Sequence, residues 1–317
     1  MQTIGRKLLR IFIVVWAVTT ITFLMITILP GDAAYSIAGG IASLEDIESI
    51  RKELGLNRNV VTRYFSWVGH LATGNLGVSH VTQEPVLDAV MSRLPVTIEL
   101  MLIAQILAVA MALPSGICSA YRQNSIGDKT LTSTAFATMS MPVFVMAIAM
   151  IYLFALKLHW LPATGYVPLS QGLWPNLRSF LLPAFSIAMV EWVVLMRVLR
   201  SDMITILQED YILMARAKGL PAWHILIRHA LRPSSFTMIT ILGMQVGHLI
   251  GGALVVETIF ALPGIGRLLV AAIYGRDFLM VQGCILFITV TYVIINALVD
   301  LSYYILDPRI RRGQAIN

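Results

Sequence analysis

The chain has 317 residues, 57% of them apolar and 13% charged, with a mean hydropathy of +0.79. Soluble domains carry about 25% charged and about 45 to 50% apolar residues, so this composition excludes a water-soluble globule. The net charge of +6 reports sidedness in a membrane, and nothing in its distribution calls for nucleic acid.

The apolar residues gather into runs close to the roughly 20 residues a helix needs to cross a hydrocarbon layer about 30 Å thick. Six runs almost free of charge stand out, at 11–29, 98–120, 131–156, 180–199, 234–256 and 279–305. They predict an all-α membrane protein with six transmembrane helices. In chain order, a basic segment 1–10 with Arg6, Lys7 and Arg10 precedes the first run. That run exceeds a signal-peptide core and no A-x-A pattern follows it, so it reads as a span. The loop 30–97 comes next, long enough to hold structure. Ser43 with Asp46 opens a capping-box-like helix over 44–54, stopped by Gly55. Val60, Val61, Tyr64, Phe65, Val68 and Leu71 share one face of a second helix ending before Gly74. This face suits a surface cap and a docking surface for an extracytoplasmic partner equally.

The remaining five runs form a core over 98–305, followed by a tail 306–317 with Arg309, Arg311 and Arg312. The larger share of the 23 Lys and Arg lies on the side of residues 1–10, the short connection with Arg122 and Lys129, the loop 201–233 and the tail. That side is the cytoplasm by the positive-inside rule, so both termini are expected there. Cys118 and Cys284 fall in runs that this topology sends to opposite faces, which argues against a disulfide between them.

Several chemistries have no motif here. There is no G-x-x-x-x-G-K-[ST] phosphate loop, no H-E-x-x-H and no G-x-S-x-G, so neither a nucleotide motor nor the best-marked hydrolases are encoded. His224 and His229 stand five apart, about 140° around an α-helix, with the cation Arg228 between them, which speaks against a metal site. No catalytic, cofactor-binding or metal-ligating set is expected.

Ionisable groups within spans are costly and therefore functional candidates. Glu99 and Asp300 lie near span ends, where water is within reach. Glu191 and His248 sit deeper, and Glu191 has no basic residue four positions away. Both are expected either on a translocation path or in helix packing. Gly243, Gly247 and Gly251, spaced by four, with Gly252 adjacent, form a groove for close helix packing or for a moving contact between subunits.

The loop 201–233 reads SDMITILQEDYILMARAKGLPAWHILIRHALRP. It predicts two short helices broken at Gly219-Leu220-Pro221, because glycine permits the turn and proline cannot continue the helix before it. Ala215 and Ala217 keep the turn slim while Arg216 and Lys218 charge it, as suits a plug for a cleft in another protein; an anchor resting on anionic membrane lipid is the alternative.

DYILMARAKGL followed by RHALRP resembles the EAA loop of ATP-binding-cassette importer permeases of the dipeptide, oligopeptide and nickel family. Ala215 and Gly219 match the E-A-A-x-x-x-G pattern, whereas Leu213 and Met214 replace its Glu and first Ala. LPGDAA, LGLNRN, GNLGVS, RLPVTIEL, SMPVF, LPATGY, ETIFALPGIGRLL and LVDLSYYILDPRIRR follow the same family in order, in the form of the first of two paralogous permeases.

The resemblance implies a type I importer permease fold in the bacterial cytoplasmic (inner) membrane, with no cofactor in this chain. It also implies a paralogous second permease, two cytoplasmic ATPase subunits and an extracytoplasmic solute-binding protein. Ala215, Arg216, Ala217, Lys218 and Gly219 would couple to an ATPase, and the loop 30–97 would meet the binding protein. Di- or oligopeptides are the implied cargo, ahead of nickel and glutathione-like molecules; the 16 methionines do not favour nickel, since thioethers suit copper(I) better and pack well in apolar helices. A secondary transporter or a channel subunit working without ATPases is the alternative, but no inverted repeat or polar filter is visible.

Overall fold

The computed structural model describes residues 2–28, 43–53, 57–79 and 81–306. The Gly55 stop and the basic residues of the tail lie outside them, as do the side chains of His248 and Asp300. The described chain is mostly helical. Its helices are α1 (Gln2–Ile28), α2 (Leu44–Glu53), α3 (Val60–Ala72), α4 (Val86–Tyr121), α5 (Ile126–Met139), α6 (Val143–Met150), α7 (Leu173–Ile206), α8 (Asp210–Ala217), α9 (Leu231–Ile259), α10 (Ile265–Tyr274) and α11 (Phe278–Leu306). Among the described residues there is no strand, only an antiparallel bridge between Val78 and Pro85.

Among the described residues Val86–Tyr121, Leu173–Ile206 and Phe278–Val299 are long and apolar enough to cross a membrane, and two bent pairs bring the number to as many as five when each pair is counted as one span. In α1 the apolar stretch is the shorter Ile11–Met25. The run expected over 131–156 is not one straight helix: α5 and the following Val143–Lys157 meet at 105°. Pro142 explains the break, because it lacks an N–H and keeps the residue before it out of the helical region. α6 then passes into a π-helical stretch, Ile151–Lys157. The fifth run bends as well, by 53° between Ala222–Gly247 and Leu249–Ile259.

The chain divides into two units, Met1–Thr97 with Pro263–Ile294, and Ile98–Leu262 with Ile295–Asn317. In the first, α3 rests on α1. Tyr64 OH lies 2.6 Å from Thr20 Oγ1, and the Phe23 ring sits 5.3 Å from Tyr64 and 5.8 Å from Trp67. Val61 and Phe65, on the same predicted face, remain exposed. The start of α11 is fixed by Asp277, whose Oδ1 accepts from Met280 N at 3.2 Å and whose other oxygen accepts from the Ser79 hydroxyl. α11 also approaches α4 closely, since a Cβ built on Gly283 would fall 2.3 Å from Val86 Cγ1.

The second unit is a helical bundle with an alanine-rich core. Ala108 and Ala112 of α4, Ala135 of α5, Leu195, Met196, Leu199 and Met203 of α7, and Met238 of α9 are all buried together. Small residues let the helices approach, which matters where lipid supplies no hydrophobic drive between them. At Gly116 the approach is at its limit: an added Cβ would stand 3.0 Å from the Leu199 side chain.

Candidate functional site

The basic bend is built from both of its flanks. α7 continues to Ile206, so the connection is shorter than expected, and α8 is the first of the two predicted helices. The second is not separate: Ala222–His224 runs through a π-helical stretch, Ile225–Ala230, directly into α9. Gly219 has φ +76, the left-handed conformation glycine adopts without a Cβ penalty. Its N–H donates to Arg216 O at 2.9 Å and that of Leu220 to Ala215 O at 3.3 Å, which is a Schellman ending. Ile212 and Ala215 are buried against Ile225, with Ile206 and Leu207 beside them. Arg216, Ala217, Lys218 and Gly219 are exposed, as are Leu213 at 52% and Met214 at 58%. Ala215 therefore holds α8 down, and the free profile is made by its neighbours. A cavity of about 680 Å³ lined by Arg216, Gln208 and Tyr121 lies beside the bend.

The π stretch changes the histidine geometry. In place of the wide separation expected on an α-helix, it brings the rings of His224 and His229 to 5.5 Å. Among the described residues, no three His, Cys, Asp or Glu gather as metal ligands.

At the root of the bend is a charged clamp that the sequence reading did not anticipate. Arg200 Nε donates to Asp128 Oδ1 at 2.9 Å and its Nη2 to Oδ2 at 2.7 Å, a two-pronged pair. Ser119 donates to the same carboxylate, Arg200 Nε reaches Ser119 Oγ at 2.9 Å, and Asn124 N donates to Oδ2 at 2.9 Å. The clamp joins α4, α5 and α7 at the ends nearest α8.

Glu191 lines a groove of about 700 Å³ together with Met139, Ser140, Met141, Met244 and Gln245. Gln245 Nε2 donates to Glu191 O at 3.3 Å, tying α9 to α7, while Gln245 Oε1 is buried without a partner. Both amide atoms of Gln105 and Trp192 Nε1 are buried and unpartnered too. A search for charges within spans passes over such amides; polar residues of any kind inside the runs were the signal to follow.

The family profile for the binding-protein-dependent transport system inner membrane component matches residues 112–312. A companion profile for the N-terminal part of such components matches residues 1–101. The chain belongs to this family. Among its relatives, a Brucella abortus protein named for a peptide transport system permease is 42% identical over 294 residues, covering 93% of this chain and 94% of the relative. The dipeptide transport system permease protein DppB of Alkalihalophilus pseudofirmus is 35% identical, covering 96% of this chain and 98% of its own. The glutathione transport system permease protein GsiC of Escherichia coli O6:H1 is 32% identical, covering 96% and 97%.

The protein is thus a multi-pass inner-membrane permease of an ABC importer, a transport subunit and not an enzyme, working with ATPase and solute-binding partners. Family membership sets aside the channel and the ATPase-free transporter. Within this permease the predicted site residues do not form one constellation. Ala215 to Gly219 make the bend, Glu191 lines the groove, and Gly243 is buried whereas Gly251 is exposed. A Cβ on Gly251 or Gly252 would meet nothing within 4 Å, so no helix of the described chain packs there.

Proposed function

We propose that this permease is one of two non-identical membrane subunits of a di- or oligopeptide importer and that α8 is the lever by which an ATPase drives it. One observation carries the reading: a short helix pinned by Ile212 and Ala215 presents Leu213, Met214, Arg216 and Lys218 outward around a glycine turn. An exposed apolar and basic tip with a fixed root suits insertion into a groove of another protein better than rest on lipid alone. Leu213 and Met214, where the EAA pattern has Glu and Ala, replace an acidic contact with an apolar one.

Counting α1, the bent α5–α6 pair and the bent α9, the chain crosses six times with both termini in the cytoplasm. The loop 30–97 receives the solute-binding protein through α2 and α3, while Glu191 and His248 belong to the path. The peptide cargo rests on the names of the relatives from Brucella and Alkalihalophilus.

Closure of two ATPases on ATP would carry α8 with it as a rigid body, and the Asp128–Arg200 clamp would pass the movement to α4, α5 and α7. ATP biases the path only if the closed ATPases fit one state of the permease better than the other. The test is the reconstituted importer bearing Gly219→Pro, which a φ of +76 cannot accommodate, or Arg216→Glu with Lys218→Glu. Uptake is expected to fall to background while ATP hydrolysis continues; tight coupling in both variants would remove α8 from the role of lever.

A further inference from the structure

We propose that the groove at Glu191 is a subsite for a protonated amine, and that the cargo presents its ammonium group there during passage. The inference rests on the peptide reading for the identity of that cargo, though not for the chemistry of the site.

Four observations converge on a cation. The groove, about 700 Å³, lies in the size range of small-molecule sites. Among its described lining residues Glu191 is the one ionisable group. Gln245, 6% exposed, is another lining residue, and its buried acceptor oxygen finds no donor. A buried carbonyl without a donor is costly, and a ligand that brings N–H groups removes that cost. Finally, the neighbours Met139, Met141 and Met244 offer polarisable, adaptable surfaces that tolerate cargo of varied side chains.

The bend between α5 and α6 has a place in this. Ser140, Met141 and Pro142, at the break, form one wall, so the turn that interrupts the third run opens the space opposite Glu191. An ammonium has three donors, enough to satisfy both the carboxylate and the Gln245 oxygen once that amide turns toward the cargo. Among the described lining residues no side chain carries a positive charge to meet a carboxylate terminus, so the cargo enters it amine first.

The experiment uses the whole importer, with both permeases and its ATPases, in nanodiscs without the binding protein. Saturation-transfer NMR compares n-butylammonium with n-butanol as probes, and trialanine uptake is measured in proteoliposomes with the binding protein added. In the wild type, transfer to butylammonium is expected to exceed transfer to the alcohol, and Glu191→Gln should remove about a tenfold preference, the size of one charge-assisted hydrogen bond. Glu191→Asp should retain most of it and should rescue uptake that Glu191→Gln loses.

Equal transfer to both probes in the wild type overturns the subsite, as does unchanged trialanine uptake in Glu191→Gln. Loss of the second permease on purification of Glu191→Gln also overturns it, because the groove would then be covered by that subunit. A wild-type complex that prefers butylammonium yet imports no trialanine leaves the subsite standing and sinks the peptide reading alone.

Discussion

Asp128 and Arg200 show how much one pair can organise. The carboxylate is 4% exposed and the guanidinium 26%, so the pair is enclosed on one side and open on the other. Asp128→Asn leaves Arg200 without its charge partner, and with the guanidinium only partly enclosed the loss should be about 2 kcal/mol, below the range for fully buried pairs. Thermal unfolding of the purified complex checks it, with Arg200→Lys expected to fall between variant and wild type because lysine cannot make the fork. Part of the clamp was legible: Ser125 caps α5 and Asp128 stands three residues on, a capping pattern visible in the sequence. The partner was not, because Arg200 lies 72 residues away and local spacing carries no information about it.

Helices were legible and their directions were not. Apolar content marked out three helices long enough to cross a membrane and two bent pairs, and the spacing of Tyr64 and Leu71 placed α3, since burial of a stripe leaves a period in the chain. Hydropathy is blind to bends, however, and SMPVF, which marks the family, also marks the 105° turn between α5 and α6. The π stretch at Ile225–Ala230 is a second case. A π-bulge amounts to one residue inserted in an α-helix, and it is this insertion that closes the gap between His224 and His229. Deleting the exposed Ile227 should restore an α-helix with α9 still in phase. The variant is expected to insert and to melt within a few degrees of wild type; failure to accumulate in the membrane would mean that the extra residue is needed by the fold. The contact of α4 with α11 gives the opposite expectation. Gly283→Ala places a Cβ 2.3 Å from Val86 Cγ1, and overpacking of this kind costs about 1–3 kcal/mol, readable as a lowered unfolding temperature.

For the molecule as a whole, the sequence tells what kind of protein this is more readily than where it ends and its partners begin. The resemblance runs nearly end to end because motifs such as GNLGVS and ETIFALPGIGRLL keep their order, while a surface that waits for another subunit looks in sequence like any apolar face. The glycine stripe of α9 separates the two. Gly243 is buried inside the chain, so that end of the stripe serves the permease's own packing. Gly251 is exposed and has open space where a Cβ would go. The Cβ of a leucine there meets nothing of the described chain, and the residue gains about 0.8 kcal/mol of helix propensity, so the single subunit should insert and accumulate normally. If the proposed second permease packs along this stripe, the same side chain would stand between the two subunits. Gly251→Leu should therefore leave the level of this subunit in membranes unchanged while the tagged second permease brings down much less of it. Full recovery of the pair would show that the exposed end of the stripe faces lipid, and that the partner meets the permease elsewhere.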